Sequence, residues 1–487
     1  MTAKCDLRGT SRRDFIRATL TASAALGLGP LRALETLDRH GGSALADEAC
    51  AGTARTVHIA AGNGGLSWFT LLWPLPQVVQ SPQPGYAFDD LSSFVRLPQA
   101  EPQSLYVRRV RGEPLWNKFG TRKLVTCLVA GQDETHRTGP SSTNTLTNGV
   151  GGANGLYAAC AAMQGGLQTL IPVVSVQHLG ESLPYGSAAG APAATQVSSA
   201  EAMISMFSSA ASQLADRLAD PHNQQLFTEY HKAYLGLART VDRPTYQRAY
   251  GDAKLATALL AQNLGDVLRP DPAKLSAWCE GLDPAQSDSD GRRRSADFIE
   301  LAKTLLVTAN AFKLGLLGQV ILPALQNDPH PVLAPEALAV TIQRTNALAR
   351  ILQGFFDELA DPASAQDPLC RGSGKTLADN LVLTVSGDTI KNPFDRTGWP
   401  DAPPGNANIL YVMSNGYLKP GWFGQISPTG RVNFDPRSGQ AKTGVATQDS
   451  TSAAVAGVLH AVARGNDRLV RQFFTGEYGG VVSTQTS

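Results

Sequence analysis

Apolar, β-branched runs alternate along this chain with stretches of helical spacing. Thr56–Ala61 (TVHIAA), Leu124–Ala130 (LVTCLVA), Leu170–Val176 (LIPVVSV) and Leu316–Leu322 (LLGQVIL) each read as a buried strand. So do Leu381–Val385 (LVLTV) and Ile409–Met413 (ILYVM). Helical periodicity covers Leu156–Met163 and then dominates from Ser198, where Ser198 and Glu201 fit a capping box and Asp220-Pro221 a stop. It continues over 222–240, 245–268 and 295–314, over Pro335–Leu359 with proline at its start, and from about Ser452 to Arg464. Residues 74 to 114 are proline-rich and read as loop with short strands. Strands alternating with helices predict an α/β fold, a mostly parallel central sheet flanked by helices, with an inserted helical region at about 198–315. There is no fixed-period repeat.

The pattern centres on Leu381–Gly424. A buried strand there runs into Ser386-Gly387-Asp388, and a loop rich in Gly, Pro, Asp and Asn leads to the next apolar run. Open α/β sheets take ligands just beyond the carboxyl ends of their strands, so Asp388, Asn392, Asp395, Arg396 and Asp401 are placed for chemistry.

Composition changes little. With 487 residues, 43% hydrophobic and 17% charged, the chain has an ordinary globular make-up and length for one large or two intimate domains. The amino terminus changes more. Ser11-Arg12-Arg13-Asp14-Phe15-Ile16 is a twin-arginine export motif, followed by an apolar run from Ala18 to Leu31. Ala44-Leu45-Ala46 offers an A-x-A cleavage site. The expectation is a signal peptide over 1–46 and an exported domain over 47–487, periplasmic or extracellular. The alternative, a chance Arg12-Arg13 pair ahead of a soluble helix, is weaker because the motif stands at the extreme start. Residues 1–46 hold seven Lys and Arg and four Asp and Glu, so their removal moves the formal charge from +1 to −2. That balance favours neither nucleic acid nor an anionic membrane. No other apolar stretch approaches the roughly 20 residues of a spanning helix, so no integral membrane segment is expected once the signal is gone. The twin-arginine route carries folded, often cofactor-bearing cargo, which makes a metal worth seeking.

The remaining cysteines are Cys50, Cys127, Cys160, Cys279 and Cys370, an odd number without C-x-x-C. That argues against a disulfide scaffold or structural zinc, and places Cys127 and Cys160 in the core. Gly372-Ser373-Gly374-Lys375-Thr376 resembles the end of a phosphate loop, but Leu369 stands where its first glycine belongs and a strand follows, so it reads as a surface loop. Asp283–Arg294 reads as a solvated loop; the acids of Gln286–Gly291 lack the spacing and terminal Glu of a calcium loop. Neither G-x-S-x-G nor H-E-x-x-H occurs. What remains is acids and histidines after strands: Asp133 with His136, Asp328 with His330, and Asp388 with Asp401. Carboxylates and imidazoles converging from separate loops are what a divalent metal needs. Asx turns and surface histidines are the bland alternative.

The order of these motifs resembles a known family. A twin-arginine leader precedes the glycine exit Gly62–Gly65, then Thr135-His136, then Asp328-Pro329-His330. Next come Ser386-Gly387-Asp388-Thr389, Asn392, Gly405-Asn406 and Leu418–Gly424. Over about 55–465 this is similar to the domain of unknown function 1501 family, exported bacterial proteins related to alkaline phosphatases and sulfatases. The resemblance implies an alkaline-phosphatase-like fold and a divalent metal held by His136, Asp328, His330 and Asp401. Here the chain departs from the pattern, because the family's final histidine becomes Ala402 and its Ser-Glu-Phe-Gly-Arg-Thr shrinks to Ser386–Thr389. Losing an imidazole weakens or removes a metal position. The expectation is therefore a divergent, binding or non-catalytic member with an eroded metal site. The second is a metal-dependent phosphate or sulfate ester hydrolase using Asp328, His330, Asp388 and Asp401. The third is a subunit of an exported complex, recruited to a protein partner through the helical region 198–315.

Overall fold

All six strands expected from apolar runs are present, and they pair in one sheet. The computed structural model describes residues 52–73, 118–119, 123–134, 142–147, 149–150, 152–167, 169–177, 184–207, 264–288, 294–326, 328–329, 338–367, 375–388, 390–394, 400–414 and 416–483, together with 75, 77 and 225. The signal motif at Arg12 and Arg13, most of the proline-rich 74–114 segment, His136, His330, Asp395, Arg396, Cys50 and Cys370 lie outside the described residues, as does 208–263 apart from 225.

In chain order the first half holds β1 (Arg55–Ala61), α1 (Leu66–Leu72), β2 (Lys118–Phe119), β3 (Lys123–Gln132), β4 (Thr145–Leu146), β5 (Asn154–Gly155), α2 (Leu156–Met163), β6 (Ile171–Val176) and β7 (Thr195–Val197). Then follow α3 (Leu264–Leu268), α4 (Pro272–Trp278), α5 (Arg294–Lys313), β8 (Leu317–Pro323), α6 (Leu338–Ala360) and β9 (Leu381–Gly387). The chain closes with β10 (Ala407–Ser414), β11 (Gly421–Phe423), β12 (Gln425–Ser427), β13 (Gly430–Val432), α7 (Thr447–Val462) and α8 (Asp467–Val470). All belong to one unit, Cys50–Ser487.

The main sheet runs β11-β3-β10-β9-β1-β8-β6-β7, with β2 also paired to β3. The pairs β9–β1, β1–β8, β8–β6, β6–β7 and β11–β3 are parallel. The fold is thus α/β with a mostly parallel sheet. Strand β1 is buried at every residue, as parallel strands covered on both faces must be. Strand β10 is antiparallel to both β9 and β3, and the short β2 is antiparallel to β3. A parallel return needs a crossover element; the described residues between β9 and β10 hold only a 3₁₀ turn, Pro404–Asn406, so the chain doubles back.

Helix starts show where local polarity misleads. The helix after β7 is capped one residue later than expected, by Ser199, whose Oγ accepts from Ala202 N at 3.1 Å. Helix α7 begins at Thr447, five residues before the first apolar periodicity, with Asp449 in its first turn. Among the described residues no helix is long and apolar enough to cross a membrane.

The sheet separates two cores. On one face Val57, Ile59, Leu383 and Val385 pack with α1, α5 and α6. On the other Ile321, Val382, Leu410 and Val412 pack with α2 and α7. Cys127 and Cys160 are buried, one in each core. The second face also carries a polar row. His58 Nδ1 lies 2.7 Å from Thr384 Oγ1 on the neighbouring strand, its ring stacks on Tyr157 at 4.3 Å, and Tyr157 Oη meets Ser386 Oγ at 2.7 Å. Burial lowers the His58 pKa to about 3, against the raising effect of a hydrogen bond with Gln319. Because the folded value lies below the ordinary 6.5, the unfolded chain takes up the proton first, and stability is lost as pH falls from 6.5 toward 3. The term is on the order of 5 kcal/mol at most. In denaturant titrations from pH 7 to 4, His58→Gln should flatten that decline; an unchanged slope would show that His58 does not set it.

Candidate functional site at the carboxyl edge of the sheet

Strands β1, β8 and β9 end at the same edge, and their loops meet there. The β1 exit is a tight turn, with Gly65 N donating to Gly62 O at 2.9 Å and both Asn63 (φ 48°) and Gly64 (φ 81°) left-handed. Gly64 stands between two acids. Its N–H donates to Asp388 Oδ1 at 3.0 Å, and a Cβ added to it would lie 3.3 Å from Asp328 Oδ1. Asp388 itself is fully buried, with its amide donating to Ala61 O at 3.2 Å. Antiparallel β10 brings Asn408 to the same edge, where its Nδ2 donates to Gly387 O at 2.8 Å and Asp388 O at 2.7 Å.

The strand-following loop then supplies a cation. Lys391 has a side chain only 1% exposed, and its Nζ lies 3.1 Å from Asp328 Oδ1 and within contact of Asp401 Oδ1. Its backbone is fixed as well. Lys391 N donates to Ser67 Oγ on α1 at 3.0 Å, and Lys391 bridges Asp401 across the loop. Asp328, Asp388 and Asp401 therefore share one rim, with an ammonium set between Asp328 and Asp401.

The chain matches no protein-family model, curated protein or solved structure.

Among the described residues this donor set does not suit a divalent metal. Hard cations want several oxygens converging on one point, whereas here Lys391 Nζ already takes that place between two of the carboxylates. Among the described residues no three His, Cys, Asp or Glu side chains are arranged to hold an ion. The predicted ligands His136 and His330 lie outside the described residues. Asp133 lies beyond β3 at the same edge, its amide donating to Asn406 O at 3.1 Å. Of the described histidines, His58 is in the core and His460 is at the far edge, where Val462 O accepts from Ala54 N before β1. His460 Nδ1 pairs with Asp467 Oδ1 at 2.8 Å and ties α7 to α8. Burial lowers the His460 pKa more than Asp467 raises it. Burial also pushes the Cys279 thiol up to about 11, so it is no thiolate nucleophile at neutral pH.

The rim is braced from behind by a buried ionic trio. Arg294, at the start of α5, donates from Nε to Asp328 O at 2.9 Å. The same guanidinium reaches Asp288 Oδ2 at 2.6 Å, and Arg344 of α6 grips Asp288 at 2.7 and 2.9 Å. Asp288 was expected in a solvated loop, but its side chain is 6% exposed and both arginines are 1% exposed. The polar run around it hides the burial, since its second partner is 56 residues away. Thr376 of the phosphate-loop look-alike is likewise buried, as the cap of the turn Leu377–Asn380, its N–H donating to Asp379 Oδ2 at 2.7 Å.

Lys391 is the residue that sequence reasoning missed. A single lysine in a Pro/Asp/Asn-rich loop carries no local sign of burial. Its position, three residues beyond Asp388 and ten before Asp401, was the only available signal.

Proposed function

We propose that this chain is an exported, alkaline-phosphatase-like protein that binds at the carboxyl edge of its sheet and does not hydrolyse esters there. The Arg12-Arg13 leader supports export. The mostly parallel sheet, with Asp328, Asp388 and Asp401 gathered at one edge, supports the scaffold. The observation that carries the non-catalytic reading is Lys391, whose buried ammonium pairs with both Asp328 and Asp401, two of the carboxylates that a metal-dependent reaction would need. Two described hydroxyls near the rim have structural partners: Ser67 accepts the Lys391 amide and Ser386 pairs with Tyr157.

A second reading, a metal-dependent phosphate or sulfate ester hydrolase, is supported by the presence of Asp328, Asp388 and Asp401 at the same edge of the sheet. One preparation decides between them. Protein recovered from the export compartment is analysed for bound metals and assayed on generic phosphate and sulfate esters. The expected result is no stoichiometric divalent metal and no turnover. One equivalent of metal together with ester cleavage would establish the hydrolase instead.

A further inference from the structure

We propose that Lys391 and Asp401 join in an intramolecular isopeptide bond, formed by the folded chain itself, with Asp328 carrying the proton. The bond is independent of the non-catalytic reading above, since it needs no metal, ligand or partner.

The two reacting residues are held together by their backbones. Lys391 and Asp401 face each other as an antiparallel bridge, and beside it Asn392 N donates to Pro400 O at 2.9 Å. Lys391 N is fixed from α1 by Ser67 Oγ at 3.0 Å. Its Nζ is thereby in contact with Asp401 Oδ1 and 3.1 Å from Asp328 Oδ1. Lysines ordinarily extend their heads to water, and the side chains of Lys274, Lys313 and Lys442, which also meet acids, are 16 to 64% exposed. That of Lys391 is 1% exposed. The second carboxylate is what separates this trio from a plain salt bridge, because amide formation needs a group that takes a proton and returns it. Asp328 is kept in place for that, its carbonyl held by Arg294 Nε at 2.9 Å.

The step balances. The Lys391 ammonium gives one proton to the Asp401 carboxylate, leaving an amine beside a carboxylic acid. The amine lone pair attacks Asp401 Cγ, and Asp328 takes a second proton from Nζ. Asp328 returns it to the hydroxyl on Cγ, the C–O bond breaks and one water leaves. An N–C bond has formed, the two charges have cancelled, and nothing is oxidised or reduced. Reactants held in this way act at effective concentrations of up to about 10⁵–10⁸ M, which offsets the reluctance of free amine and acid to condense in water. The Asp401 side chain is 39% exposed, so the water has an exit.

The test is mass spectrometry of the folded full chain, reduced and then denatured. The intact mass should be one water below that of its sequence. After trypsin, residues 376–396 and 397–431 should appear as one branched peptide joined at Lys391 and Asp401, uncut at Lys391. Lys391→Arg keeps the charge but cannot form this amide, and should show its full mass, separate linear peptides and a lower Tm. Asp328→Asn keeps both reacting residues, and after refolding should lose its water roughly 10²-fold more slowly. Wild type alone decides the matter if a variant does not fold. Folded wild type of full mass overturns the bond, and so does a lower mass without the branched peptide. An Asp328→Asn chain that converts as fast as wild type overturns the relay. Each of these outcomes leaves the metal and ester measurements above untouched, so the two proposals fail separately.

Discussion

Replacing Asp288 by alanine is expected to lower the unfolding free energy by about 3–5 kcal/mol, the cost of removing one partner from a buried ionic cluster. Asp288 is the carboxylate that Arg294 and Arg344 share, and all three side chains are at most 6% exposed. Without it two guanidinium groups remain in a medium where they cannot recover their hydration. An exposed ion pair would count for only about 0–1 kcal/mol, so the magnitude separates a buried brace from a surface contact. Urea unfolding followed by circular dichroism gives the number, and a loss under about 1 kcal/mol would place the trio in the surface class. Because Arg294 also holds the Asp328 carbonyl, the variant should additionally loosen the carboxyl edge. Hydrogen exchange at the β1 exit, Gly62–Gly65, would register that.

Gly65→Ala should be worse. A Cβ there would sit 1.5 Å from Leu325 O and 2.9 Å from Gly62 O, both backbone atoms that no side-chain rotation can move. Either the β1 exit or the loop after β8 must shift, and with it Gly64 and Asp328. The expected loss is at least about 4 kcal/mol, in the range reserved for gross steric or backbone damage. Poor soluble yield and a collapsed Tm are the readouts. Gly166→Ala is the control, since a Cβ there meets nothing within 4 Å, and should stay within about 0.5 kcal/mol of wild type. If the two variants behaved alike, the close packing of these loops would be wrong.

Much of the fold was legible because long apolar runs leave few options. Strands β1, β3, β6, β8, β9 and β10 follow their β-branched segments to within a few residues, and α2 spans Leu156–Met163 as its pattern requires. The short strands β7, β11, β12 and β13 have three residues each, too few for periodicity to register. Helix α4 was legible but passed over: Asp271 accepts from Ala273 N at 2.8 Å ahead of Pro272, a start signal in plain view. At the candidate site, Asp328, Asp388 and Asp401 could be anticipated from their places after strands or on the loop between them. Lys391 and Asp288 could not. Their burial depends on partners supplied by tertiary folding, and a charged residue in a polar loop looks the same in sequence whether solvated or enclosed.

The sheet's outermost ladders bear on how crowded copies of this protein behave. Strand β7 closes one side with Thr195–Val197, and the other side is closed by β11, Gly421–Phe423, beside the two-residue β2. Such stubs leave few open main-chain donors and acceptors for a second molecule to zip onto. Longer, flatter margins of the same apolar character would template runaway association. Here the lateral growth of the sheet is self-terminating.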